Sequence, residues 1–221
     1  MKEQRKRTDK MVDGKAKEPE KMEWLWVRHG MTAGNKNRRY IGSGTDEGLC
    51  PEGRQLLRQR KERGLYPAVS HVCASPMKRC LETAQLLYPG AEIRIVPDFR
   101  ECDFGLLENK NHEQLSGLPF YEQWLSQKGN AAFPGGESPE DFCRRSVRAL
   151  ETIVRAGMPE GKTAFVVHGG TIMSVFSHLD ERQGGFYDYH VDNGDGYRCT
   201  AQIEGGQIRL RNCRRIGEDR L

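Results

Sequence analysis

Two histidines, His29 and His168, each directly follow a short apolar run and directly precede a glycine. Arg28 stands beside the first histidine, and Arg79 lies shortly after a third apolar run. Neutral imidazole can act as a nucleophile or a base, and guanidinium groups bind anions through forked, charge-assisted hydrogen bonds. Each signal alone is weak, because such a histidine can simply cap a turn and a helix arginine is often solvated. Together they indicate a site for an anionic substrate.

The apolar runs before these residues predict strands, because they are short and rich in strand-forming side chains. They are Trp24–Val27, Val69–Ala74 and Ala164–Val167. In open α/β sheets, ligands bind in the crevice outside the carboxyl ends of the strands. We therefore expect the two histidines and the arginines to meet at one edge of a sheet.

Helical patterns separate the strands. Helices are predicted over Glu52–Arg63, after Ser75-Pro76, after Ser138-Pro139 and from Ile172, with weaker ones at 111–115 and 119–126. Ser75 is expected to be an N-cap and Pro76 the first helical residue. Ile93–Val96 predicts a further strand, and alternation around Gly205-Gly206 predicts a hairpin. The predicted fold class is α/β, a three-layer α/β/α sandwich with a mostly parallel sheet and an antiparallel hairpin at the C-terminus.

The charge is unevenly distributed along the 221 residues, a length that suits one domain. Residues 1–22 carry eight Lys/Arg against five Asp/Glu and thus supply three of the four net positive charges. We expect 1–22 to be a disordered basic tail, with Met22 as a candidate natural start, and 23–221 to be the folded domain. Because the body is near neutral, no nucleic-acid partner is expected. The apolar runs are too short for a membrane span.

Seven cysteines occur without a Cys-x-x-Cys pair, and the charged N-terminus lacks an apolar leader. Reduced thiols in a cytoplasmic protein are the simplest interpretation. Neither disulfides nor a structural zinc site are expected.

Five segments together resemble the histidine phosphatase (phosphoglycerate mutase-like) superfamily, in the family's order. They are Val27-Arg28-His29-Gly30 with Thr32 and Asn35, Ser75-Pro76-Met77-Lys78-Arg79 with Glu82-Thr83-Ala84, Arg100-Glu101-Cys102-Asp103-Phe104-Gly105, Pro134-Gly135-Gly136-Glu137-Ser138, and His168-Gly169-Gly170-Thr171. The resemblance covers the body from Glu23 to about Ile172. It implies metal-independent phosphoryl transfer without a cofactor, by a monomer or a homodimer, on a small phosphorylated substrate.

The resemblance also implies roles for individual residues. His29 would take the phosphoryl group, Glu101 would act as acid and then as base, and His168 would complete the catalytic set. The expected phosphate-binding residues are Arg28, Asn35, Arg79 and Gly169 at a helix N-terminus. Glu108 is the second choice for the acid, although an ordinary surface carboxylate is the better interpretation of it.

Three alternatives remain open. A zinc hydrolase could use His29 and His168, but the sequence has no His-x-His or His-x-x-x-His pair. A pseudo-enzyme could bind phosphorylated ligands without turnover, and a cofactor-dependent phosphoglycerate mutase could share the chemistry. Only 66 residues separate Glu101 from His168, which favours small phosphatases such as α-ribazole phosphatase. Arg39, Tyr121 and Trp124 are candidate contacts of the leaving group, with packing at least as good an interpretation of both aromatics.

Overall fold

The computed structural model describes residues 20–127, 131–159 and 161–218. The strands are β1 (Glu20–Arg28), β2 (His71–Ala74), β3 (Ile93–Ile95), β4 (Thr163–Val167), β5 (Gly196–Glu204) and β6 (Gln207–Arg215). The helices are α1 (Ala33–Lys36), α2 (Pro51–Glu62), α3 (Lys78–Leu87), α4 (His112–Leu115), α5 (Pro119–Ser126), α6 (Pro139–Arg155) and α7 (Gly169–Leu179). Short 3₁₀ turns occur at Pro97–Phe99, Gly105–Leu107 and Phe186–Tyr189.

The strands form one six-stranded sheet of order β3-β2-β4-β1-β5-β6. The first four in this order are parallel, while β5 and β6 are antiparallel additions. Every residue of β4 is buried, as expected for a strand at the centre of a parallel sheet. The final hairpin turns at Gly205 and Gly206, both with positive φ, a conformation that glycine adopts without strain. The predicted mostly parallel sheet and C-terminal hairpin are confirmed.

Helices cover both faces of the sheet. Successive side chains of β1 alternate between the faces, so Trp24 and Trp26 join one core and Leu25 and Val27 the other. The first core contains buried side chains of α6 and α7, and the second contains those of α2 and α3. The predicted three-layer α/β/α sandwich is therefore confirmed.

A smaller apolar cluster lies in the segment between Glu101 and α6. Leu107, Leu115 and Tyr121 are buried at its centre, and partly buried aromatic rings pack around them. The two weakly predicted helices are present here as α4 and α5. This cluster holds the irregular segment against the body of the domain.

The N-terminal boundary of the folded part differs from the expectation. The first strand begins at Glu20 rather than Trp24, because Lys21 and Met22 continue the antiparallel pairing with β5. The Met22 side chain is also buried in the core. Residues 20–22 therefore belong to the sheet, and the rest of the expected tail, 1–19, lies outside the described residues.

Two further properties of the chain follow from the structure. Within the described ranges, none of the helices combines the length and the apolar character that a membrane span requires. All seven cysteines are free thiols, and only Cys143 is more than slightly exposed.

Candidate active site

A cavity of about 1150 Å³ opens where β1 and β4 end. Its wall includes five of the sequence-predicted site residues: Arg28, His29, Asn35, Glu101 and Gly169. Arg79 and His168 are completely buried and lie behind the wall, with the His168 ring centroid 5.2 Å from that of His29. The structure thus brings all the predicted residues together, but in two layers.

His29 lies at the base of the cavity and is held in one tautomer. Its Nδ1 lies 2.7 Å from the carbonyl oxygen of Gly30. Because a carbonyl only accepts, Nδ1 carries the proton and Nε2 keeps its lone pair. Burial, with the charges of Arg79 and Arg28 adding to it, holds the pKa of His29 well below its usual range. The imidazole is therefore neutral, as a nucleophile toward a phosphate dianion must be.

Arg28 supplies the positive charge on the cavity wall. Its Nη1 donates to the carbonyl oxygen of Val191 over 2.7 Å, which fixes the guanidinium. The buried Nε has no hydrogen-bond partner among the residues that the structure describes. Burial lowers the pKa of Arg28, and the nearby Glu101 and Asp192 charges oppose that shift. An anion in the cavity would give the unpartnered Nε–H an acceptor.

Asn35 is oriented by a residue that the sequence analysis missed. The Asn35 amide oxygen accepts from the backbone N–H of Thr32 over 3.2 Å and from Nδ2 of Asn193 over 3.1 Å. Asn193 Nδ2 also lies 3.1 Å from the His29 carbonyl oxygen. Because the oxygen of Asn35 is engaged, its amide nitrogen is the group that can donate to a ligand.

Glu101 has the properties of a buried acid. Its Oε1 accepts from the backbone N–H of Cys102 over 3.0 Å, and its carboxyl group also accepts from the backbone N–H of Gly170. Burial raises the pKa of Glu101, although these two N–H groups and the charges of Arg79 and Arg28 oppose the shift. Gly170 leaves room for it, because a Cβ there would lie 2.7 Å from Oε1 and 2.8 Å from the Phe142 ring. A raised pKa favours the protonated form that a general acid needs.

Arg79 and His168 are joined in a buried hydrogen-bond network. Arg79 donates from Nε to Nδ1 of His168 over 3.3 Å, from Nη1 to the Thr45 carbonyl over 2.9 Å and from Nη2 to the Gly42 carbonyl over 3.1 Å. Since His168 Nδ1 accepts, its Nε2 carries the proton and donates to Ser75 Oγ over 2.7 Å. Both ring nitrogens of His168 are thus occupied by protein groups.

Arg79 and His168 have no exposed surface in this structure, and a direct phosphate contact by Arg79 stays a prediction. Their positions behind the wall let Arg79 act through its charge, which lowers the pKa of His29. The prediction that Ser75 caps a helix is wrong. The helix begins at Lys78, with Met77 in the N-cap position, because the Ser75 hydroxyl is directed to His168 instead.

Glu108, the second choice for the acid, is a structural group. Its two oxygens accept from the backbone N–H groups of Gly42 and Gly44 and from the Thr45 hydroxyl, at 3.1, 3.1 and 2.7 Å. It is neither free for proton transfer nor an ordinary surface carboxylate. It fixes the loop whose carbonyls bind Arg79.

The loop that carries Glu101 is held by an arginine that the sequence analysis also missed. Arg145 forms a bidentate pair with Glu137, at 2.9 and 2.7 Å. It also donates to the carbonyls of Asp98 and Arg100, at 2.7 and 3.0 Å. The α6 helix therefore fixes the backbone on which the proposed acid stands.

Aromatic side chains line one arm of the cavity away from His29. This aromatic arm consists of Arg39, Tyr40, Phe104, Trp124 and Phe133. Tyr121 does not belong to it, because it is buried and bonds through its hydroxyl to that of Tyr40 over 3.0 Å. Of the candidate leaving-group contacts, Arg39 and Trp124 therefore face the cavity and Tyr121 packs behind it.

A metal site needs several His, Cys, Asp or Glu side chains close together. Within the part of the chain that is described, no three of these side chains lie close enough to hold one metal ion. The polar groups on the inner wall are instead those that bind an oxyanion: Arg28, Asn35 and the start of α7 at Gly169.

The chain is similar to known proteins both in sequence and in fold. The sequence model of the histidine phosphatase superfamily (branch 1) matches residues 24–214. A probable phosphoglycerate mutase from Enterobacter sp. (strain 638) is 32% identical over 150 residues, covering 65% of this chain and 67% of the relative. The solved phosphoglycerate mutase from Thermus thermophilus is 30% identical, with a TM-score of 0.62 over 89% of this chain and 99% of the other. The α-ribazole phosphatase from Shigella flexneri shares the fold, with a TM-score of 0.70 at 22% identity over 86% and 95% of the two chains.

Proposed function

Because the chain belongs to the histidine phosphatase superfamily, whose members are phosphatases or mutases, we propose that it hydrolyses a phosphomonoester through a phosphohistidine on His29. The observation that carries this proposal is the state of the His29 ring. Its Nδ1 proton is fixed by the Gly30 carbonyl over 2.7 Å, and its neutral Nε2 is the free nitrogen in a cavity that Arg28 makes positive.

In the first step, the lone pair of His29 Nε2 forms a bond to phosphorus while the bond from phosphorus to the leaving oxygen breaks. The leaving oxygen takes its electron pair and the proton of Glu101. Arg28 and the helix start at Gly169 stabilise the charge on the transferring phosphoryl group. The Gly30 carbonyl stabilises the positive charge that the ring gains on phosphorylation.

In the second step, water replaces the leaving group. The Glu101 carboxylate takes a proton from the water as its oxygen bonds to phosphorus and the bond from Nε2 to phosphorus breaks. Inorganic phosphate, neutral His29 and protonated Glu101 result, so the enzyme returns to its starting state.

The aromatic arm supports a bulky leaving group. A planar ring can stack on Trp124 or Phe133, and Arg39 can donate a hydrogen bond to a polar substituent of that ring. We propose α-ribazole 5′-phosphate as the first substrate to test, because it carries such a group and because structural neighbours are α-ribazole phosphatases. The seven free thiols support a cytoplasmic location for this activity.

Phosphoglycerate mutase is the second candidate, since curated relatives carry that name. A mutase must shield phosphohistidine from water, which requires a lid. In the described part of residues 106–137, the only helices are α4 and α5, which pack together as a wall. This arrangement favours hydrolysis.

The test is a phosphate-release assay run beside a mutase-coupled assay on one preparation. The substrates are α-ribazole 5′-phosphate and 3-phosphoglycerate, the latter with catalytic 2,3-bisphosphoglycerate. We expect phosphate release to exceed isomerisation and the bulky ester to react faster than the glycerate. Isomerisation outrunning phosphate release would identify a mutase, and no turnover of either substrate or of p-nitrophenyl phosphate would identify a pseudo-enzyme.

A further inference from the structure

The cavity has a second arm that the proposed mechanism does not use. It runs from the phosphate end between α6, α7 and the turn Phe186–Tyr189. Its middle is apolar, with Phe142, Val147, Met173 and Phe186 on three different elements. Farther along the two helices lie Arg148 and His178. We refer to this part of the cavity as the helix arm.

Arg148 differs from the other charged side chains of the helix arm in its pairing. Glu151 also lines the arm, but its carboxylate pairs with Arg155 over 3.1 Å. Arg144, one turn earlier on α6, pairs with Asp141 and Glu140. Arg148 is exposed, and it has no carboxylate within ion-pair distance among the residues described. Although the charges of Glu140, Arg144, Arg148 and Glu151 sum to zero, the Arg148 guanidinium is therefore the one left to bind an anionic ligand.

An imidazole lines the arm from the facing helix. His178 lies on α7, and its Nδ1 donates to the Ser174 carbonyl over 2.8 Å. The two helices are neighbours, since the Ser174 hydroxyl on α7 donates to Cys143 Sγ on α6 over 3.2 Å. His190 adjoins Val191, whose carbonyl accepts from Arg28, and therefore lies toward the phosphate end. The far part of the arm thus has a guanidinium on one helix and an imidazole on the other, and the guanidinium is the group suited to a carboxylate or a phosphate.

The helices give the length of the arm. His178 lies nine residues beyond Gly169 on α7, about 13 Å at 1.5 Å per residue. Arg148 lies six residues beyond Phe142 on α6, about 9 Å along its axis. A group bound at the far end is therefore separated from the reacting phosphate by a chain of roughly ten bonds, far more than a three-carbon phosphoester contains.

We propose that the helix arm binds a terminal anionic group of an elongated phosphomonoester, with Arg148 as the principal contact and the apolar stretch covering the chain between the two charges. The phosphate end of this inference rests on the proposed function. The arm then determines specificity: of two leaving groups of equal length, the one that ends in an anion reacts faster.

The experiment compares alkyl phosphates of one chain length that end in a methyl group, a carboxylate or a second phosphate. We expect kcat/KM of the wild type to be about fivefold or more higher for the anionic ends, the upper range of a partly exposed ion pair. The carboxylate and the bisphosphate show which anion the arm prefers. Equal values for all three esters would refute the inference while leaving hydrolysis itself in place.

Variants locate the effect. Arg148→Gln should remove the preference, and Glu151→Gln should strengthen it by removing a carboxylate from the arm. Arg58→Gln, which removes the same charge from an exposed position on α2, should keep it. Turnover of p-nitrophenyl phosphate, which is too short to reach the arm, should be unchanged in all three. A preference that survives Arg148→Gln would refute the assignment.

A binding measurement separates this inference from the proposed function. If no ester is turned over, the proposed function fails. Calorimetric titration of His29→Ala with the methyl-ended and carboxylate-ended esters still measures how tightly the helix arm binds each ester. Tighter binding of the carboxylate that is lost on adding Arg148→Gln would support the helix arm, and equal binding would refute it.

Discussion

Replacing Glu101 with glutamine separates the role of this side chain in proton transfer from its role in holding the site in place. The glutamine side chain has the same shape, and its oxygen can keep the 3.0 Å bond from the Cys102 N–H and the bond from Gly170. What it loses is the ability to give a proton to the leaving oxygen and to take one from water. Since Glu101 is only 8% exposed, solvent is poorly placed to substitute for it.

The size of the effect depends on the leaving group. General acid catalysis contributes about 10²–10⁴-fold, or roughly 3–5 kcal/mol of barrier, where the leaving oxygen needs a proton. An alkyl phosphate should lose that factor in its first step. p-Nitrophenolate leaves without protonation, so its first step should be nearly unchanged. The second step loses its base with both substrates, and phosphohistidine should accumulate with the aryl ester.

Rapid-quench kinetics of Glu101→Gln with both esters measures this difference. We expect a burst of p-nitrophenol with stoichiometric phosphoenzyme, and a slow first step without a burst for the alkyl ester. The reasoning is refuted if the first step slows equally for both esters, because Glu101 would then act by positioning rather than as the acid.

Three further predictions concern the same site. Burial raises the pKa of Glu101, so its protonated form stabilises the fold below the unfolded pKa of about 4.3 and that stability is lost as pH rises through the folded pKa. The Tm of the wild type should therefore fall relative to that of Glu101→Gln as pH rises above about 4.3. A Tm difference that stays constant with pH would contradict the raised pKa. Prolonged EDTA treatment should leave turnover unchanged, whereas loss that zinc or magnesium restores would indicate a metal hydrolase. Gly170→Ala should lower kcat strongly, because its Cβ would lie 2.7 Å from Oε1 of Glu101 and 2.8 Å from the Phe142 ring, so that the acid and the cavity wall must shift. At Gly169 the atom nearest to a Cβ lies at 3.4 Å, and alanine should cost much less. Equal losses in the two variants would show that this close packing is unimportant.

Much of the fold was accessible from local patterns. The buried run at β4 and the helix start at Ser138 depend on neighbouring residues, and both were predicted correctly. The convergence of Arg28 and His29 with Glu101 followed from the motifs that carry the family resemblance. These features share one property, since the residues that specify them lie close together in the sequence.

The features that were missed depend on distant partners. Ser75-Pro76 has the composition of a helix start, but its hydroxyl bonds to a histidine 93 residues away. The early start of β1 at Glu20 depends on pairing with β5. Asn193 contacts the carbonyl of His29 from 164 residues away, and no local pattern marks it. Whether a site residue lines the cavity or lies behind it, as Arg79 does, is also set by packing in three dimensions.

The central claim is that His29 carries the phosphoryl group. It is tested most directly by quenching the wild type during turnover of a labelled phosphomonoester and mapping the phosphorylated residue by mass spectrometry. The claim predicts acid-labile, base-stable phosphate on His29 of the wild type, with no label and no hydrolysis in a folded His29→Ala variant. Full hydrolysis by that variant, or phosphate trapped on another residue, would contradict it.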